Sequence, residues 1–252
     1  MTKTKKHLTT AILLLVVYMV MQLSSAFFLL PFHKLVMRMT DLSSTQAAPI
    51  TQGWYIAISF AVALIISLAL TSRDKSFWLI YESKQESIPL TIVWGVLGFI
   101  LVFVGQTIGA IIEMTVFGIE GGSQNTADIM GIAKGAPIAI LAIVVFGPIL
   151  EEFVFRRVIF GSLIQVTNFW IAAIVSAFCF ALIHFDFSHI LLYTICGLIF
   201  AFLYHVTKRI WASIIAHILL NGFVTLVQIY AEPLQKYAES LKKITEQLIH
   251  MQ

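Results

Sequence analysis

The run LTTAILLLVVYMVMQLSSAFFLL, residues 8–30, decides what kind of protein this is. It follows a basic start, Lys3, Lys5 and Lys6, and contains Ser24-Ser25-Ala26, so it carries the ingredients of a cleavable secretion signal. Signal-peptide apolar cores run for about 7–15 residues, whereas a helix needs about 20 to cross a bilayer. The stretch from Leu8 to Leu30 has the second length. It reads as an uncleaved first membrane helix with its N-terminus in the cytoplasm.

Further apolar runs follow at about 53–71, 89–112, 136–150, 169–184, 188–205 and 210–230, the fourth continuing as helix past residue 150. Each is near the length that spans a bilayer as a helix. The expected fold is all-α, a polytopic integral membrane helix bundle of about seven (six to eight) transmembrane helices. With no low-complexity segment and no internal repeat, residues 1–252 read as a single membrane domain of a multi-pass protein of the cell membrane.

Composition agrees. Hydrophobic residues make up 59% of the chain and charged residues 12%, and the mean hydropathy is +0.92. A soluble domain carries roughly twice that charged share. The net charge of +3 comes from basic residues scattered in short flanks between apolar runs, so no nucleic-acid surface is expected. With the N-terminus inside, the basic residues at 3, 5, 6, 73, 75, 84, 156, 157, 208 and 209 fall on the cytoplasmic side and Lys34, Arg38 and Lys134 outside, the bias that sets membrane orientation. Cys179 and Cys196 lie in apolar runs without CxxC spacing and read as packing residues. Residues 231–252 place Leu234, Ala238, Leu241, Ile244 and Leu248 at helical spacing and read as an amphipathic tail. The glycine-rich segment 118–137 reads as an outer connection with no chemistry.

Glu151 and Glu152 are the acidic pair inside a predicted span. A charge at mid-bilayer costs about 2.5–3.5 kcal/mol on insertion scales, so the pair calls for internal partners or a function. Glu152 has Arg156 four residues on, with the acid N-terminal, the favourable orientation for a helical ion pair. Glu151 projects about 100° away, and its neighbour four residues on is Phe155, which neutralises nothing. It needs another partner or a water-filled cavity. His184, and the pair His217 and Asn221 on one face of a later helix, supply polar groups in other spans. If the helices of Glu151 and His184 meet at the turn near 167–168, both lie about 25 Å from it and reach the same depth. A carboxylate, two imidazoles and an amide converging in hydrocarbon match the parts for hydrolysis: a base for water and donors for an oxyanion.

These residues fall into EEFVFR (151–156), FALIH (180–184) and HILLN (217–221). The ordered set EExxxR, FxxxH and HxxxN resembles the CAAX prenyl endopeptidase and bacteriocin-processing family, also called the Abi family of membrane proteases. The resemblance covers about residues 136–225, the expected catalytic core; the first 135 residues carry no motif. It implies an intramembrane endopeptidase in which Glu151 activates water, His184 helps to position it, His217 and Asn221 bind the oxyanion, and Glu152 and Arg156 hold the site. It implies membrane-associated peptide or protein substrates, and roles in peptide maturation or bacteriocin self-immunity.

Other chemistries leave different marks. HExxH is absent, and so is GxSxG. The glutamates and histidines are of zinc-ligand type, but the adjacent guanidinium opposes a divalent cation. The expectation is therefore a hydrolase that needs no metal or other cofactor, with zinc as the open alternative. A non-proteolytic immunity or regulatory scaffold is the competing reading, and a proton-coupled carrier a third, since membrane Glu and His also build proton relays. His217 lies about 12 Å along its helix from Lys208 and Arg209, which suggests a site reached from the cytoplasmic half.

Overall fold

The computed structural model describes the backbone of residues 3–78, 80–81 and 84–250, with the side chains of these residues apart from 3–6, 75–76 and 231–250. The described residues form helices joined by turns: α1 (Lys3–Thr40), α2 (Ser44–Ser72), α3 (Ile88–Val116), α4 (Gln124–Gly135), α5 (139–163), α6 (Phe169–Leu182), α7 (Ile190–Thr207) and α8 (Ile210–His250). Five spans, within α1, α2, α3, α7 and α8, are long and apolar enough to cross a membrane, and α6 is a shorter apolar helix. The chain is an all-α, multi-pass membrane bundle.

Helix starts follow local chemistry. Ser87 accepts from Leu90 N–H at the start of α3, Asn168 from Ile171 N–H at the start of α6, and Ser123 from Thr126 N–H at the start of α4. Each occupies a donor that the helix leaves open. Lys208 ends α7 in the left-handed conformation (φ 58°).

The bundle inverts the soluble pattern. Leu13, Val16, Val20, Ile65, Ile92 and Val96 point outward and are exposed, as lipid contact requires, while the inward faces of α2 and α3 are built mostly from small residues. In α2 these are Ala47, Thr51, Ala57, Ala63, Ser67 and Thr71, and in α3 Thr91, Gly95, Gly98 and Gly109. Small residues let membrane helices approach closely where burial of oil gives no driving force. α1 packs on α2, α3 on α7 and α8, and α6 on α7, with α5 central and touching α1, α2, α6 and α8. Both cysteines are free, Cys196 buried and Cys179 half-buried.

Two expectations are corrected. The segment 118–137 is not a bare connection: it contains α4, whose Met130 and Ala133 are buried. Its glycines mislead because close packing, not turning, requires one of them. A Cβ on Gly135 would lie 2.2 Å from Pro49 Cβ, and one on Gly53 opposite would lie 2.3 Å from Ala136 Cβ. The second correction concerns α5. It is interrupted by π-helical stretches, Ala142–Phe146 and Glu152–Phe160, so the angles of a regular α-helix do not apply after Glu152. The tail continues α8 as far as His250; the amphipathic reading of 231–252 concerns side chains outside the described residues.

Candidate active site

Glu151 and Glu152 sit where the α-helical turn Gly147–Glu151 passes into the second π stretch, and their surroundings differ sharply. The Glu152 side chain is fully buried, whereas that of Glu151 keeps 17% of its exposure. Glu152 Oε2 lies 3.1 Å from Arg156 Nε, a charge contact without hydrogen-bond alignment. The guanidinium lies between aromatic faces, 4.4 Å from the Phe180 ring centre and 5.0 Å from that of Phe200. Aromatic faces attract a cation, and more strongly where water is excluded.

The other oxygen of Glu152, Oε1, lies 2.9 Å from His217 Nδ1, which donates to it. His217 Nε2 is 3.6 Å from Glu151 Oε2, too long for a hydrogen bond. The imidazole thus spans the two carboxylates. Phe200 stacks on it at 4.6 Å and 21°, fixing its plane.

Asn221 owes its position to a backbone defect in α5. In the first π stretch Gly147 N–H bonds to Ala142 O, five residues back. The next carbonyl in that register, Ile143 O, would face Pro148, which has no N–H. Asn221 Nδ2 donates to Ile143 O instead, at 3.1 Å. A proline inside a membrane helix therefore orients an amide on another helix 78 residues away in sequence.

His184 lies just beyond α6, in a turn where Phe185 is left-handed (φ 52°). Its Nδ1 donates to Phe180 O at 2.8 Å, leaving Nε2 as the free nitrogen. Glu151, His184, His217 and Asn221 all line one cavity of about 470 Å³, while Glu152 and Arg156 stand behind its wall. Uncharged polar groups line it too: Gln22, Gln106, Asn125 and Gln228, with Ser123, Thr126 and Tyr193.

The cavity opens away from Lys208 and Arg209. Toward that end it is lined by Gly121, Gly122, Ser123, Asn125 and Thr126, by His184 and His189, and by Asn221, Val224, Thr225 and Gln228 of α8. At the other end Phe153, Phe160, Tyr204, Ile210 and Ile214 form a packed plug. The lining thus lies toward the end of the bundle opposite the basic flank from which approach was expected. Distance along α8 from Lys208 measures depth only, and the aromatic plug decides which end is open.

A family model described as type II CAAX prenyl endopeptidase Rce1-like matches residues 133–223, the span holding Glu151, Glu152, Arg156, His184, His217 and Asn221. The "Putative membrane peptidase YdiL" of Bacillus subtilis is 41% identical over 178 residues, 71% of this chain and 72% of that protein. The membrane-embedded CAAX protease MroQ of Staphylococcus aureus is 36% identical over 196 residues, 75% of this chain and 78% of that protein. The chain belongs to the CAAX-type membrane endopeptidase family. No solved structure matches it.

Within this CAAX-type endopeptidase, several polar groups escaped the reading of the sequence. Gln22 and Gln106 lie inside apolar runs, and a full roll of polar residues in the spans would have found them. Glu113, just past the end of its run, is buried and lies 2.8 Å from His189 Nδ1, while its Oε1 accepts from Leu192 N–H. The second nitrogen of His189 donates to Gly122 O at 3.1 Å. With both ring nitrogens against acceptors, His189 clasps the segment before α4 to the ends of α3 and α7.

Proposed function

We propose that the cavity hydrolyses peptide bonds of membrane-associated peptides or proteins, with water activated by Glu151. The observation that carries this reading is the division of labour between adjacent glutamates: Glu151 faces the cavity beside His184, His217 and Asn221, and Glu152 is sealed behind it. Glu151 takes a proton from a water held against His184 Nε2, and the water oxygen bonds to the carbonyl carbon. The carbonyl oxygen becomes an oxyanion facing Asn221, whose second amide proton is not used by Ile143, and His217, which in this step acts as the imidazolium, with Nδ1–H on Glu152 and Nε2–H toward the oxyanion. As the C–N bond breaks, the proton held by Glu151 passes to the leaving amine.

Residues 136–225 act as the catalytic core in this reading, and α1 to α3 complete the cavity wall. Peptide maturation and bacteriocin self-immunity are the settings such a hydrolase would serve. No metal enters these steps. Zinc bound stoichiometrically to active protein, lost with activity on chelation and restoring it on return, would overturn that part. The deciding experiment incubates purified protein with a lipid-attached peptide library and compares wild type with Glu151→Gln. Products that need Glu151 support the hydrolase; a non-proteolytic scaffold yields none with either protein.

A further inference from the structure

His184 is the one residue of the proposed machinery that no helix holds. α6 ends at Leu182, and the backbone turns through Phe185. The hydrogen bond from Nδ1 to Phe180 O fixes one atom of the ring, and the Phe180 ring meets it edge-on at 4.8 Å and 66°, which leaves the other side of the ring to be held. Tyr193, one turn into α7, covers the face of the ring. Its ring stacks on His184 with centres 4.0 Å apart and planes 23° apart.

Tyr193 is itself held from above. Asn125 Nδ2 donates to its hydroxyl oxygen at 3.4 Å, and the hydroxyl lies 2.9 Å from Ser123 Oγ. Ser123 Oγ already accepts from Thr126 N–H at 3.1 Å, so it is fixed at the first turn of α4. The chain of contacts runs from the start of α4 through Tyr193 to the face of His184, and every member lines the cavity. The clasp of His189 on Gly122 tethers the same segment independently, one residue before Ser123.

We propose that Tyr193 is a positioning residue for His184, and that the segment 122–126 is a lid over the cavity anchored on the Tyr193 hydroxyl. The two halves of the side chain have separate tasks. The ring keeps His184 Nε2 aimed at the water beside Glu151; the hydroxyl fixes how the lid meets the substrate. The proposal rests on the hydrolase reading of the cavity.

The test separates ring from hydroxyl, using full-length protein in membranes and a library peptide cleaved by wild type but not by Glu151→Gln. Tyr193→Phe keeps the stacking and loses the anchor, so KM should rise several-fold with kcat nearly unchanged. Ser123→Ala should raise KM in the same direction, and the double variant should cost less than the sum of the two, as expected for groups that share a contact. Tyr193→Leu loses the stacking as well and should lower kcat about a hundredfold, the scale at which small misplacements of a reacting group act. Its thermal midpoint should match that of Tyr193→Phe. A Tyr193→Leu protein with wild-type kcat overturns the proposal. So does a Tyr193→Phe protein that loses as much kcat, or a loss of rate that follows the melting temperature. If no peptide is cleaved by wild type, the hydrolase reading falls first, and the role of Tyr193 with it.

Discussion

Glu151 and Glu152 share a peptide bond and almost nothing else. Glu152 and Arg156 are fully buried, so each has exchanged water for the other and, for the arginine, two aromatic faces. Removing one partner of a buried pair costs about 3–5 kcal/mol because a lone charge remains. Glu152→Ala and Arg156→Ala should each lower the melting temperature or the yield of folded protein, measured by thermal denaturation in detergent; melting curves equal to wild type would refute the assignment. Asn221→Ala should lose about a hundredfold in turnover, the effect of removing one oxyanion donor, with a smaller loss of stability than either charge variant because only the neutral bond to Ile143 O goes with it. A loss wholly in KM would make Asn221 a binding residue instead. The ion pair was legible from spacing alone, since four residues on a helix are neighbours. The bridge of His217 across both glutamates was not, because it joins residues 65 apart in sequence, and no local period encodes such a meeting.

At the scale of the element, the apolar runs marked out the helices, since hydropathy and length are properties of a single segment. The π stretches of α5 were hidden: they arise from how α5 meets its neighbours and from Pro148, whose missing N–H frees Ile143 O for Asn221. α4 was missed because its glycines have the composition of a turn, although one of them is packed against Pro49. The same kind of contact joins the helices flanking His184. A Cβ on Gly197 of α7 would lie 2.7 Å from the Cα of Ala177 in α6, and backbone cannot yield as a flexible side chain does. Gly197→Ala should force α6 and α7 apart, lowering stability by about 1–3 kcal/mol, the usual cost of overpacking. Activity measured below the melting point should fall as well, because α6 carries the turn that holds His184.

For the whole molecule, the distribution of Lys and Arg gives an orientation and the helices give a count, but neither says which end of the bundle is open. That depends on side chains from α5, α6, α7 and α8 meeting as a plug, a product of packing that becomes visible only with the fold. By the charge bias the mouth faces outward. Two single cysteines check this. Gln124→Cys, exposed at the start of α4, should react with a membrane-impermeant maleimide in intact cells, and Lys84→Cys, exposed at the basic end, only after lysis. The reverse pattern would place the mouth in the cytoplasm.

The wall of the cavity has a bearing on which part of a peptide belongs inside it. Among the described residues lining it there is no Lys and no Arg, and Glu151 contributes negative charge. A chain terminus brought to this wall would give up the hydration of its carboxylate and meet no Lys or Arg, and His189 and His217 are already held by Glu113 and Glu152, so the loss is poorly compensated. An internal stretch brings only neutral amides, which Gln22, Gln106, Asn125 and Gln228 are equipped to match by donating and accepting together. The same peptide synthesised as free acid and as C-terminal amide should therefore be cut at the same bond, with the amide form at least as fast in kcat/KM. A strong preference for the acid would require a Lys or Arg at the mouth, which the described wall does not provide.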